Sequence, residues 1–176
     1  MRKLQLSLAL LGGFALTDPA HGNGVEKAGD VLQIALPAGG YLLSVGLEDY
    51  EGTRQLTRSL LATLTTTFAL KYAIDAKRPD GSGQAFPSGH TAAAFSGAMF
   101  IQRRYGPRLG IPALAAAGFV AWSRVDAGRH EVKDVVAGAG LAILCGHFLV
   151  DRLPGELFIV PVERDGFLGL RLTGIW

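Results

Sequence analysis

The chain has 176 residues, enough for one domain and too few for two of ordinary size. Hydrophobic residues make up 49% and charged residues 18%, with a mean hydropathy of +0.28, between an ordinary soluble domain and a dense membrane bundle. A net charge of +2 with no basic run excludes a nucleic-acid surface, and a single cysteine, Cys145, excludes an intramolecular disulfide or a cysteine-based metal site.

Residues 1–22 read as a signal peptide or a retained first membrane helix. Arg2 and Lys3 form the charged start, Leu4 to Leu16 is apolar, and no clear small-residue cleavage site follows. Residues 23–152 are expected to form one helical domain. Within it, Val31 to Leu47, Leu56 to Ile74, Ser88 to Ile101, Leu109 to Trp122 and Val132 to Val150 are apolar segments separated by short polar breaks. Their length and composition predict helices, and the Gly and Ala inside them predict close helix packing, as in Gly138, Ala142 and Gly146 at four-residue spacing. Residues 153–176 form an extension in which Leu157 to Val162 and Phe167 to Leu172 flank Asp165-Gly166, a strong turn signal. That pattern predicts a β-hairpin, which is marginal alone and is therefore expected to pack on the helices.

Charge placement favours a spanning bundle. With alternating helices, Arg54, Arg58, Arg103, Arg104, Arg108 and Arg152 share one side, which the positive-inside rule makes cytoplasmic. The stretches 71–90 and 123–134 then share the opposite, periplasmic side. Several apolar runs are shorter than the ~20 residues of a full span, so a soluble or peripheral bundle is the alternative.

Three polar groups interrupt the apolar pattern: Lys71 to Arg78-Pro79, Pro87-Ser88-Gly89-His90, and Ser123-Arg124 followed by His130 and Asp134. Ser88 and Gly89 open a helix, whose free N–H groups favour anions. Lys71, Arg78 and Arg124 add positive charge, and arginine forks fit phosphate oxygens. His130 and Asp134 are four apart and would share a helix face, the carboxylate fixing the ring's tautomer and leaving its other nitrogen as nucleophile or base. His90 could protonate a leaving oxygen. No Asp/Glu cluster has the spacing of a Mg²⁺ or Zn²⁺ site, so no metal and no cofactor is expected. Taken singly, Lys71 could be a snorkelling lysine, Arg78-Pro79 a turn, Ser88 an N-cap and His130/Asp134 an exposed pair. Those readings leave the shared side of all three groups unexplained. His147 reads as a packed or interface histidine and Cys145 as a small core residue, and His21 lies at the edge of the leader.

These motifs resemble the type 2 phosphatidic acid phosphatase superfamily. Its signature is K-x6-R-P, P-S-G-H and S-R-x5-H-x3-D, met here by Lys71, Arg78-Pro79, Pro87-Ser88-Gly89-His90, Ser123-Arg124, His130 and Asp134. The resemblance implies an all-α, five- to six-helix, membrane-spanning bundle. It also implies phosphate ester or pyrophosphate hydrolysis through a phosphohistidine. His130 would be the nucleophile, Asp134 its support and His90 the acid, with Lys71, Arg78, Ser88, Gly89 and Arg124 binding phosphate. The expected partners are the bilayer and a lipid phosphate or pyrophosphate: undecaprenyl pyrophosphate, phosphatidylglycerophosphate, phosphatidic acid or a lipid A phosphate. The expected location is a bacterial inner membrane with the site facing the periplasm. A soluble periplasmic acid phosphatase, a lipid phosphotransferase and a vanadium-dependent haloperoxidase are the alternatives within the family, and a non-catalytic lipid-phosphate binder is the alternative outside it.

Overall fold

The fold is that of a computed structural model, which describes residues 24–79, 81–154, 156–164 and 167–175, with side chains as far as 154. The leader expected over residues 1–22 lies outside them. Five helices follow in order: α1 Gly24–Gly46, α2 Tyr50–Ile74, α3 Gly89–Tyr105, α4 Pro107–Asp126 and α5 Val132–Leu149. α3 is the central one and contacts the other four. Its small residues explain this: Ala92, Ala94 and Ala98 are fully buried, and Phe100 fills the core between Leu56 and Gly40.

Glycines set the closest approaches. A Cβ on Gly97 would stand 2.4 Å from the Pro37 nitrogen and 2.5 Å from the Leu36 carbonyl carbon, so α3 crosses α1 backbone to backbone. A Cβ on Gly138 would stand 2.5 Å from the Ser88 carbonyl oxygen, and one on Gly146 3.0 Å from Met99 Cβ. The Gly138, Ala142 and Gly146 stripe therefore lays α5 against α3, as the spacing predicts.

Two helices start more than a turn before their apolar runs. α1 begins at Gly24, seven residues before Val31, and includes Glu26, Lys27 and Asp30. These polar turns are held by tertiary ion pairs, which leave no apolar signature. α2 begins at Tyr50, with the Asp49 carboxylate accepting the Gly52 N–H at 2.9 Å as a cap. Asp49 also anchors the end of the bundle away from the signature residues. Arg104 donates to it through Nε at 2.8 Å and Nη2 at 2.6 Å, and Tyr105 Oη donates at 2.9 Å. Burial alone would raise the Asp49 carboxyl pKa. The hydrogen bonds from Arg104, Gly52 and Tyr105 outweigh it and hold the group below the ordinary aspartate value. Arg104 is thus a buried partner of Asp49 rather than an exposed charge at that end.

Glu156–Arg164 (β1) and Phe167–Ile175 (β2) pair antiparallel, with Glu156 opposite Ile175 and Arg164 opposite Phe167. The expected packing on the helices is not seen. Among the described residues neither strand shares an interface with a helix, and the strands' partner is each other. Cys145, expected in the core, is at its edge, and His147 takes the outward-facing of its two expected places, packed or at an interface. His147 is exposed and meets the Phe148 ring edge-on, with its backbone carbonyl accepting from Arg103, and Cys145 is half-buried.

Candidate active site

The three signature groups converge at one end of the bundle. Lys71 lies in the last turn of α2, and its ammonium donates to the Gln84 and Ala85 carbonyls at 3.1 and 3.3 Å. Arg78 Nε donates to the same Gln84 carbonyl at 3.4 Å. The α2–α3 connection thus ties both cations to one strip of backbone, which Gln84 fastens by donating to Asp75 at 3.0 Å. Ser88 is the N-cap of α3, its hydroxyl accepting from the Thr91 N–H at 3.4 Å, as the capping reading expects. The Ser88 N–H donates to the Asp134 carbonyl at 2.9 Å, joining the second and third groups. Gly89 is the point where Lys71 approaches α3: a Cβ there would stand 3.9 Å from Lys71 Cε.

His130 and Asp134 are adjacent, but not as two turns of one helix. α5 starts at Val132 with Glu131 as its N-cap, so His130 precedes the helix and Asp134 is its third residue. Asp134 Oδ2 accepts the Glu131 N–H at 2.9 Å in a capping box and lies 3.4 Å from His130 Nδ1. That distance is within ion-pair reach, yet the alignment leaves His130 Nδ1 without a formed hydrogen bond. His130 is 3% exposed and Asp134 1%. Burial, with Arg78, Lys71, His90 and Arg124 nearby, pushes the His130 pKa down to about 3, so its imidazole is neutral at working pH. A buried, uncharged imidazole among fixed cations has a free lone pair and faces a site suited to an anion.

Arg124 is the most constrained cation. Its Nη1 donates to Asp30 Oδ1 at 2.7 Å, Nη2 to the Glu26 carbonyl at 2.7 Å, and Nε to Ser123 Oγ at 3.3 Å. The same Asp30 oxygen lies 3.2 Å from His90 Nε2. The Glu26 side chain, in turn, accepts from Arg129 Nε at 2.9 Å. Asp30 and Glu26 were not among the sequence candidates. Their partners are 94 and 98 residues distant for Arg124, a separation no local spacing reveals. Gly29 makes room for this contact, since a Cβ there would stand 2.1 Å from Ser123 Oγ. Among the described residues, no three His, Cys, Asp or Glu side chains gather as a metal site.

The helical fold and this cluster of three motifs define a class. The PAP2 superfamily profile matches residues 53–155, which contain the whole signature. The lipid A 4'-phosphatase of Helicobacter pylori (strain J99) is 30% identical over 164 residues, covering 86% of this chain and 82% of that protein. The lipid A 1-phosphatase of Porphyromonas gingivalis is 39% identical over 80 residues, 43% of this chain and 18% of that longer protein. The crystal structure of Aquifex aeolicus LpxE superposes with a TM-score of 0.57 at 22% identity, covering 73% of this chain and 87% of that one. The chain belongs to the PAP2 superfamily. It is a phosphatase, a hydrolase of phosphate esters. The profile match ends at residue 155, before the C-terminal strands.

Proposed function

We propose that the protein hydrolyses a lipid phosphate at a membrane surface through a phosphohistidine on His130, without a metal ion. The observation that carries this reading is the neutral, buried imidazole of His130, set between the Asp134 carboxylate and the cations Lys71, Arg78 and Arg124. With Asp134 beside Nδ1, the proton rests there and the Nε2 lone pair is free to attack phosphorus. The N–P bond forms as the P–O bond to the leaving group breaks, and His90 gives that oxygen its proton. Water then attacks the phosphohistidine, returning a proton to His90, and phosphate leaves. Lys71, Arg78, Arg124 and the N–H groups at Ser88 and Gly89 would carry the charge of the transferred phosphoryl group.

A membrane setting is supported by the surface. α1 and α5 are long and apolar enough to cross a bilayer, and they turn Leu42 (74% exposed) and Phe148 (76% exposed) outward. Tyr72 and Trp122 are exposed at the site end and Tyr50 at the other, as interfacial aromatics would be. A site at such an end could receive a charged headgroup while the lipid chains stay in the bilayer. Among the lipids expected from the sequence, the similarity to two lipid A phosphatases favours a phosphate on lipid A, and the arginines at the far end, Arg54, Arg58, Arg103 and Arg108, favour a site on the periplasmic face of the inner membrane.

The test is phosphate release by the detergent-solubilised protein from lipid A, phosphatidic acid, phosphatidylglycerophosphate, undecaprenyl pyrophosphate and a soluble alkyl phosphate, all with EDTA present. Release from lipid A well above the rest, unaffected by EDTA, is expected. Preference for the soluble ester would favour an acid phosphatase instead, and restoration of activity only by a divalent cation would overturn the metal-free mechanism.

A further inference from the structure

Lys71 and Arg78 are like charges that meet on one main-chain oxygen. The Gln84 carbonyl accepts from Lys71 Nζ at 3.1 Å and from Arg78 Nε at 3.4 Å, and the Ala85 carbonyl accepts from Lys71 Nζ at 3.3 Å. An ammonium has three N–H donors. Two of those on Lys71 face this strip, which leaves one for an oxyanion. Arg78 uses Nε in the same way and keeps its two terminal nitrogens as the fork that suits phosphate. Between two cations that repel, the carbonyl oxygens are the negative ends that hold both within reach of one phosphoryl group. Where the strip sits therefore sets the spacing of the pair.

Asp75 fixes the strip to the end of α2. It is the C-cap, in the left-handed conformation with φ 46°, which aspartate tolerates better than most residues. Its N–H donates to the Lys71 carbonyl at 3.0 Å, and its Oδ1 accepts from Gln84 Nε2 at 3.0 Å. The Gln84 carbonyl in turn takes the Lys71 ammonium, so Lys71, Asp75 and Gln84 close a ring of hydrogen bonds. Two further ties cross the connection: the Ala85 N–H donates to the Ala76 carbonyl at 2.6 Å, and Lys77 pairs antiparallel with Gln84. So short a ladder is not stable by itself, and the side-chain bond completes it. The Asp75 side chain is 60% exposed, so core packing gives it no role.

We propose that Asp75 and Gln84 are positioning residues that set the spacing of Lys71 and Arg78 for one phosphoryl group. The inference rests on the reading above in which those two cations bind phosphate.

The sign of the effect separates positioning from charge. Deleting a carboxylate beside cations, one of them Lys77 at 3.9 Å, strengthens phosphate binding through the field alone. Deleting a tie that spaces the cations weakens it. The dissociation constant of inorganic phosphate would be read by phosphorus NMR titration of the full chain in detergent, beside the thermal midpoint of each preparation. Asp75→Ala and Gln84→Ala are each expected to weaken phosphate binding by about 3- to 10-fold, the worth of one hydrogen bond. The double variant should bind no more weakly than either single one, because both changes remove the same bond. Asp75→Asn keeps the acceptor and should bind like wild type. The midpoints should stay together, since the bond lies at the surface. Arg78→Ala, expected to lose about 10- to 100-fold, tests the reading underneath. Beside a loss in Arg78→Ala, any of three results would overturn the inference: unchanged or tighter binding in either alanine variant, additive losses in the double variant, or Asp75→Asn as weak as Asp75→Ala. Unchanged binding in Arg78→Ala would instead overturn the assignment of phosphate to these cations, whatever Gln84 does.

Discussion

His130→Ala is expected to lower phosphate release by about 10⁴- to 10⁶-fold while the protein keeps its fold. The first part follows from chemistry: without Nε2 no covalent intermediate can form, and water would have to attack the phosphoryl group directly. The second follows from how His130 is held. Its backbone N–H donates to the Arg124 carbonyl at 3.2 Å, a bond that alanine retains. Its Nδ1 has no formed hydrogen bond to lose, and the capping box of α5 uses Glu131 and Asp134. The check is kcat beside the thermal midpoint in detergent. Wild-type turnover in a folded His130→Ala protein would end the phosphohistidine reading.

The second large effect is on stability, at the opposite end of the bundle. Arg104→Ala is expected to destabilise the fold by about 3–5 kcal/mol, because it leaves the Asp49 carboxylate buried without its main partner. Arg104 Nη1 also donates to the Asp151 carbonyl at 3.1 Å, and the Leu153 N–H donates to the Arg104 carbonyl at 2.9 Å, so α3 clasps the exit from α5. The double variant Asp49→Asn/Arg104→Met should lose less than the two single changes summed, since each removes the other's unpaired charge. Denaturant titration in detergent measures this. Unchanged stability in Arg104→Ala would show that the pair is solvated rather than buried. At temperatures where the variant is folded, its kcat should be near wild type, because none of these groups lies at the site.

Much of the candidate site was legible because its chemistry demands particular residue types at short spacing. Six residues separate Lys71 from Arg78, and Ser88 begins α3 directly before Gly89 and His90. Such positions are fixed by a turn or a helix start, and sequence reports them well. The five helices were legible for a similar reason, since apolar runs broken by charge mark buried or lipid-facing segments. The ends of those helices were not. α1 begins among polar residues because Glu26 and Asp30 find partners on α4 and in the loop beyond it, contacts that depend on the assembled bundle. The His130–Asp134 spacing matched a helical turn, yet the cap at Glu131 places His130 outside the helix. The apolar run from Val132 already marked the start of α5, but the i,i+4 spacing alone did not show that His130 precedes it. The Asp49–Arg104 pair was hidden in the same way: charge counting placed Arg104 on the expected cytoplasmic side but could not show its partner.

The account turns on a covalent bond between phosphorus and His130. Wild-type protein mixed with a lipid phosphate labelled in its phosphoryl group, quenched in alkali within the first turnover and digested, should carry the label on the peptide that holds His130, and His130→Ala should carry none. Label on a different residue, or equal turnover with no labelled protein at any time, would contradict it.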